Sequence, residues 1–128
     1  MNDLFGEVIY AYTRKQAVED GFQVLAPDTE CKAAGIKYPV FINRTVWDKY
    51  VVVPKIMDGW QDESGRLWDI LFMFTLAAKR IQGNTLLFKL FVQNTKAKPR
   101  EITLKAVIGP NDIDNPQPAI TIMLPDED

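Results

Sequence analysis

The chain contains no histidine and only one cysteine, Cys31. Without histidine there is no Ser-His-Asp or Cys-His nucleophilic system, no imidazole acid–base catalysis and no histidine-bound metal. One cysteine cannot close an intrachain disulfide or build a cysteine zinc site. A lone thiol suits a reducing compartment, so a cytoplasmic location is expected. Neither standard glycine spacing for cradling phosphate is present. Charge of one sign is lacking too: 15 Lys and Arg stand against 17 Asp and Glu, a net charge of −2. That balance offers no global attraction to nucleic acid or to an anionic membrane. The most apolar stretch, Leu67 to Ala78, is broken by Asp69 and Thr75 and is too short to span a bilayer. The first residues carry Asp3 and Glu7 where a signal peptide has bases, so no leader is expected. No internal repeat or low-complexity segment is visible. Carboxylates, Lys, Arg, Tyr and hydroxyls remain for chemistry, and they single out no catalytic residue, metal or cofactor.

What is there reads as one domain over residues 1–128. Of its residues 47% are hydrophobic and 25% charged, ordinary for a globular chain of 128 residues. Thr13 and Gln16 form a capping box that opens a helix over about 14–20, with Gly21 as its stop. Short helices are also predicted over about 30–34, before Gly35, and 44–51, before Pro54. Val46, Trp47, Tyr50 and Val51 share a face of the latter. Ser64 or Asp62 caps the longest helix, about 65–82, ended by Gly83. It is apolar nearly all round, as expected of a central helix packed on more than one side. The last third alternates with a period of two in 86–93, 101–108 and 119–124, which predicts an antiparallel meander of about three strands. Extended pieces near 22–26 and 39–42 can enlarge the sheet, and Gly109–Pro118 reads as a long loop. The fold class is therefore α+β.

Several side chains are candidates for a site. Arg66 and Asp69 are spaced i,i+3, and Asp69 interrupts an apolar run. A partly buried carboxylate needs a partner, so Asp69 is either structural, in an ion pair with Arg66 or linked to a backbone donor, or functional, as an acid or a substrate anchor. Tyr10, Tyr12 and Arg14 flank the capping box and could line a ligand pocket with Trp47 and Trp68, or belong to the core. Cys31 sits near a helix start, where a dipole lowers a thiol pKa, but no base is predicted beside it. Asn111, Asp112, Asp114 and Asn115 are rich in oxygen but lack the calcium-loop pattern and suit turns. Lys96, Lys98 and Arg100 make a basic hairpin tip, and Asp126, Glu127 and Asp128 an acidic end.

Several segments together resemble a known family. They are Tyr12-Thr13-Arg14-Lys15-Gln16-Ala17 with Asp20-Gly21, Ala34-Gly35-Ile36-Lys37-Tyr38-Pro39-Val40, Val46-Trp47, and Gly65-Arg66-Leu67-Trp68-Asp69-Ile70-Leu71. Leu104–Asp112 and Ile120–Asp128 complete the set. The chain resembles a family of small uncharacterised bacterial proteins, a domain of unknown function often carried on plasmids, phages and other mobile elements. The resemblance implies a bacterial, mobile-element setting and transfers no activity.

Three readings follow. The leading one is a non-catalytic accessory protein that binds a protein partner through Lys96, Lys98 and Arg100 with the acidic tail; such opposite patches also suit a homo-oligomer. A second is a ligand-binding protein or enzyme with a pocket near Arg14, Trp47, Arg66 and Asp69. A third is a nucleic-acid binder through the basic 89–105 hairpin, which requires a continuous basic stripe. No membrane partner is expected.

Overall fold

The computed structural model describes residues 12–128. Tyr10 and the acidic Asp3 and Glu7 lie outside the described residues. Helix α1 (Arg14–Glu19) opens on the expected box: Thr13 accepts from the Gln16 N–H, and Gln16 Oε1 accepts from the Thr13 N–H at 2.9 Å. Gly21 follows at φ +82°, a left-handed position where a Cβ is strained. Helix α2 (Asp28–Ala33) ends in the same way before Gly35.

The expected helix over 44–51 begins as α3 (Arg44–Val46) and then widens into a π-helical turn, Trp47–Val51. The Val52 N–H donates to the Trp47 carbonyl, five residues back. This extra residue turns both Val46 and Val51 fully into the core, which normal helical spacing would set apart.

Helix α4 runs Glu63–Ala78, capped by Asp62, whose side chain accepts from the Gly65 N–H. It therefore starts two residues earlier and ends four residues earlier than the 65–82 expectation. The Arg80 N–H bonds back to Ala77, tightening the turn that swings the chain into the sheet. The apolar pattern continues to Ile81, but helical geometry does not.

Five strands form one sheet in the order β1-β2-β5-β4-β3: β1 (Gln23–Leu25), β2 (Val40–Asn43), β3 (Thr85–Val92), β4 (Arg100–Asp112) and β5 (Asn115–Met123). Strands β3, β4 and β5 are the predicted antiparallel meander. Strand β2 adds to β5 in parallel and β1 adds antiparallel to β2, so the sheet is mixed. The fold is α+β, as the alternation of patterns indicated.

One expectation is overturned at residues 109–118. They are not a long loop but the outer part of β4 and β5, turning at Ile113–Asp114, with an irregularity between Pro110 and Asp112. Prolines are tolerated there because this ribbon projects past the other strands, where a missing N–H need not leave a ladder gap. Turn-rich composition concealed a strand pair.

One sheet face carries Leu86, Phe88, Leu90, Leu104, Ala106, Ile120 and Ile122, which form a single core with Ile70, Leu71 and Phe74 of α4. Phe74 meets Phe88 edge-to-face at 6.0 Å. Helix α2 packs against α4 as well. Even so, the core does not cover the whole apolar circumference of α4. Leu76 is exposed, and Trp68 and Phe72, stacked at 4.7 Å, are only half-buried. No helix among the described residues is long and apolar enough to cross a membrane.

Candidate functional site

Arg14 and Arg66 were both candidates for a single pocket, and they stand in separate places. Arg14, at the first position of α1, reaches the outer β4–β5 ribbon and its neighbours. Its Nε donates to the Asn111 carbonyl, and its Nη1 donates to Gln23 Oε1 at 3.0 Å and Thr121 Oγ1 at 2.9 Å. The guanidinium lies 4.2 Å over the Phe41 ring, a favourable cation–π position. Asp112 answers from the ribbon: its two carboxylate oxygens accept the backbone N–H groups of Arg14 and Lys15 at 3.0 and 2.9 Å. These are free donors of the first helical turn. Backbone bonds from Ile113, Lys15 and Arg14 hold the Asp112 carboxyl below its ordinary range. Asn111 and Asp112, weighed above as loop oxygens, thus serve as a distant cap for α1. Tyr12 donates to Asp20 at 2.6 Å, and this bond pushes the phenol up to about 12.

Arg66 is 7% exposed, on the first turns of α4. Its Nε donates to the Tyr50 carbonyl at 2.9 Å, Nη1 to Gln61 Oε1 and the Gln93 carbonyl, and Nη2 to Asn94 Oδ1 and the Lys49 carbonyl. Every N–H of the guanidinium is engaged. Tyr50 and Lys49 end the π turn, where carbonyls lack helical partners and the dipole favours a cation. Arg66 therefore joins α4, the π turn and the end of β3 at one point. No ion pair with Asp69 forms among the described residues: the Asp69 side chain lies at the exposed rim of the same cleft. Crowding by the surrounding protein still pushes the Asp69 carboxyl up, with Arg66 opposing.

Arg66 is the floor of an open cleft of about 770 Å³. Its walls include Tyr50, Trp60, Trp68 and Phe91, and its carboxylates are Glu30, Asp62 and Asp69. The Glu30 carboxyl is held low, first by the Thr29 hydroxyl and then by Ser64. Trp60 is 74% exposed and Phe91 66% exposed, so much of the aromatic surface faces solvent. The cleft sets π faces and carboxylates around a buried guanidinium with no donor to spare.

The structure thus brings Arg66, Trp68 and Asp69 together. Tyr12 and Arg14 line a separate shallow depression beside Pro110 and Asp112. Trp47 packs against the core instead. Lys96, Lys98 and Arg100 are exposed at the β3–β4 tip. Lys79 and Arg80 follow α4 at the opposite end of β3, and Lys89 and Lys105 lie on the strands between. Glu127 of the acidic end accepts from Thr45 and from the Leu124 N–H, and its carbonyl accepts from Lys105. No ion pair joins this end to the hairpin tip among the described residues. Cys31 is buried and its thiol is pushed up by desolvation, the opposite of activation. Among the described residues no group of three or more acidic, Cys or His side chains is placed to hold a metal.

Trp60 and Phe91 were not singled out as site residues. A signal existed: Leu87 and Phe91 occupy the otherwise polar face of β3, and Trp60 lies in a polar connector. Gln93 and Asn94 carried none, because they act through positions that only the folded chain creates.

No curated protein and no solved structure matches the chain. The chain belongs to a family of unknown function (DUF6573), matched over residues 1–128.

Proposed function

We propose that this member of the family acts by binding rather than catalysis, as an accessory protein of a bacterial mobile element. Its cleft at the start of α4 receives a cationic side chain of a protein partner. The observation that carries this reading is the cleft itself, where exposed Trp60 and Phe91 meet Glu30, Asp62 and Asp69 around an arginine with no free donor. An alkylammonium or guanidinium gains from π faces and carboxylates together. The resemblance to proteins carried on plasmids and phages supports the setting, and a cytoplasmic partner fits the lone thiol.

The basic tip of Lys96, Lys98 and Arg100 is the second candidate surface, favoured by its exposure. Affinity capture separates the two. Bait carrying Trp60→Ala with Asp69→Asn is expected to lose the partner that wild-type bait retains. Bait with the three basic residues reversed in charge is expected to keep it. The opposite pattern moves the binding surface to the hairpin and ends the cleft reading.

A further inference from the structure

The sheet ends on two unlike edges. Strand β1 has three residues, whereas β3 has eight. Along an antiparallel pair, residues alternately bond to the neighbour and point away from it. The Ile108 N–H donates to the Asn84 carbonyl at 2.7 Å. The register continues through Leu86↔Ala106, Phe88↔Leu104 and Leu90↔Ile102, so these residues bond to β4. The backbone N–H and C=O groups of Thr85, Leu87, Lys89 and Phe91 therefore point off the sheet. Among the described residues no hydrogen bond reaches them.

Beside this edge, a groove runs between α4 and β3. One stretch shares Asp69, Leu90 and Phe91 with the cleft. The next shares Met73 and Lys89 with the first and continues past Leu76 to Ile81. Leu87 is 56% exposed along it. Charge is graded from end to end: Glu30, Asp62 and Asp69 stand at the cleft, and Arg80 and Lys89 line the far stretch.

We infer that β3 is a docking strand, to which an extended segment of a protein partner adds as a sixth strand. The segment's backbone takes the outward-pointing groups of Thr85, Leu87, Lys89 and Phe91, and its side chains enter the α4–β3 groove. A Lys or Arg of the segment fills the cleft, and an Asp or Glu lies toward Arg80. This rests on the cleft reading and names the form of its ligand. A second copy of the chain is the weaker occupant. The fullest antiparallel overlaps of β3 with itself set Lys89 against its own copy or against Leu87, and edge lysines oppose such pairing.

The test uses the full chain and a displayed library of random peptides of about eight residues, the span of Thr85–Val92 at about 3.4 Å per residue. Enriched peptides are expected to alternate β-branched residues and to carry Lys or Arg near one end and an acid near the other. Lys89→Pro removes an outward N–H without touching the β4 ladder, a place where proline is compatible with an edge strand. It is expected to weaken an enriched peptide about tenfold or more. Because a proline can disturb the strand, the same peptide is also made with single backbone N-methyl groups, and methylation at alternate positions is expected to weaken binding equally. Trp60→Ala is expected to weaken it separately. Binding that survives both Lys89→Pro and N-methylation but falls with Trp60→Ala overturns strand addition and leaves the cleft reading standing. Binding indifferent to all three, or no enrichment, overturns both. A dimer of the protein that Lys89→Pro dissociates makes the second copy the occupant and overturns the peptide inference.

Discussion

The corner around Arg14 and the groove beside β3 are built from the same kinds of residue: an arginine, carboxylates and aromatic rings. They differ in what is left over. At the corner, Asp112 caps the α1 backbone and Arg14 spends its donors on Asn111, Gln23 and Thr121 over the Phe41 ring. In the groove, Arg66 is equally spent, but among the described residues the side chains of Asp69 and Trp60 and the outward backbone of β3 make no such bonds. A buried charge is held only where its hydrogen bonds are made, so both arginines are joints of the fold. Capacity to bind lies where polar and apolar groups remain open together, and among the described residues the strip from Trp60 along β3 is the one proposed for it.

Four measurements can break or sharpen this contrast. The largest effect is expected from Arg66→Leu, which removes all the bonds of the guanidinium and leaves the Tyr50 carbonyl without its side-chain donor. It should cost about 3 kcal/mol in urea unfolding. Arg66→Lys should recover only part of that, because an ammonium has three donors for a site arranged around five. A loss below about 1 kcal/mol would mean that Arg66 is no joint, and would return it to the ligand.

Arg14→Ala comes next, at about 2 kcal/mol by the same measurement, since the corner is only half-buried and water can replace some bonds.

The Asp112 contribution depends on pH. Its folded carboxyl lies below the ordinary range, so its stabilisation is present above the ordinary carboxylate value of about 4 and disappears as pH falls through the depressed folded one. Thermal melts should therefore show the wild type losing its advantage over Asp112→Asn across that acidic window. Curves that stay parallel would separate Asp112 from α1.

The smallest effects belong to the groove. Trp60→Ala should leave stability within about 0.5 kcal/mol. Asp69→Asn should be neutral or slightly stabilising at neutral pH, because the folded carboxyl is pushed up and its ionised form is disfavoured. If either variant melts well below the wild type, the groove is structural and the contrast fails.

Much of the fold was legible along the chain. The Thr13–Gln16 box, the stops at Gly21 and Gly35, and the period-two runs of the meander are local signals, and local chemistry realises them. The π turn after Val46 was not legible, because it arises from the demand that Val46 and Val51 both enter the core. Nor was the 109–118 ribbon, whose Pro, Asn and Asp favour turns wherever no partner strand is at hand. Of the candidate cleft, Arg66, Trp68 and Asp69 were named together because they crowd onto one helix segment. Arg14 and Trp47 were joined to them only by residue type, and the chain path carries them elsewhere.

By itself, the sequence determined the class of fold and narrowed the chemistry. Lacking histidine and having one cysteine exclude imidazole catalysis, histidine metal sites and intrachain cysteine zinc sites in any conformation, and hydrophobic period depends only on neighbours along the chain. Tertiary structure alone decided which arginine bonds are satisfied, that β3 rather than β4 or β5 lies at the open edge, and that α4 leaves apolar surface beside it. These depend on strand order and on contacts between residues far apart in the chain, and no local pattern encodes them.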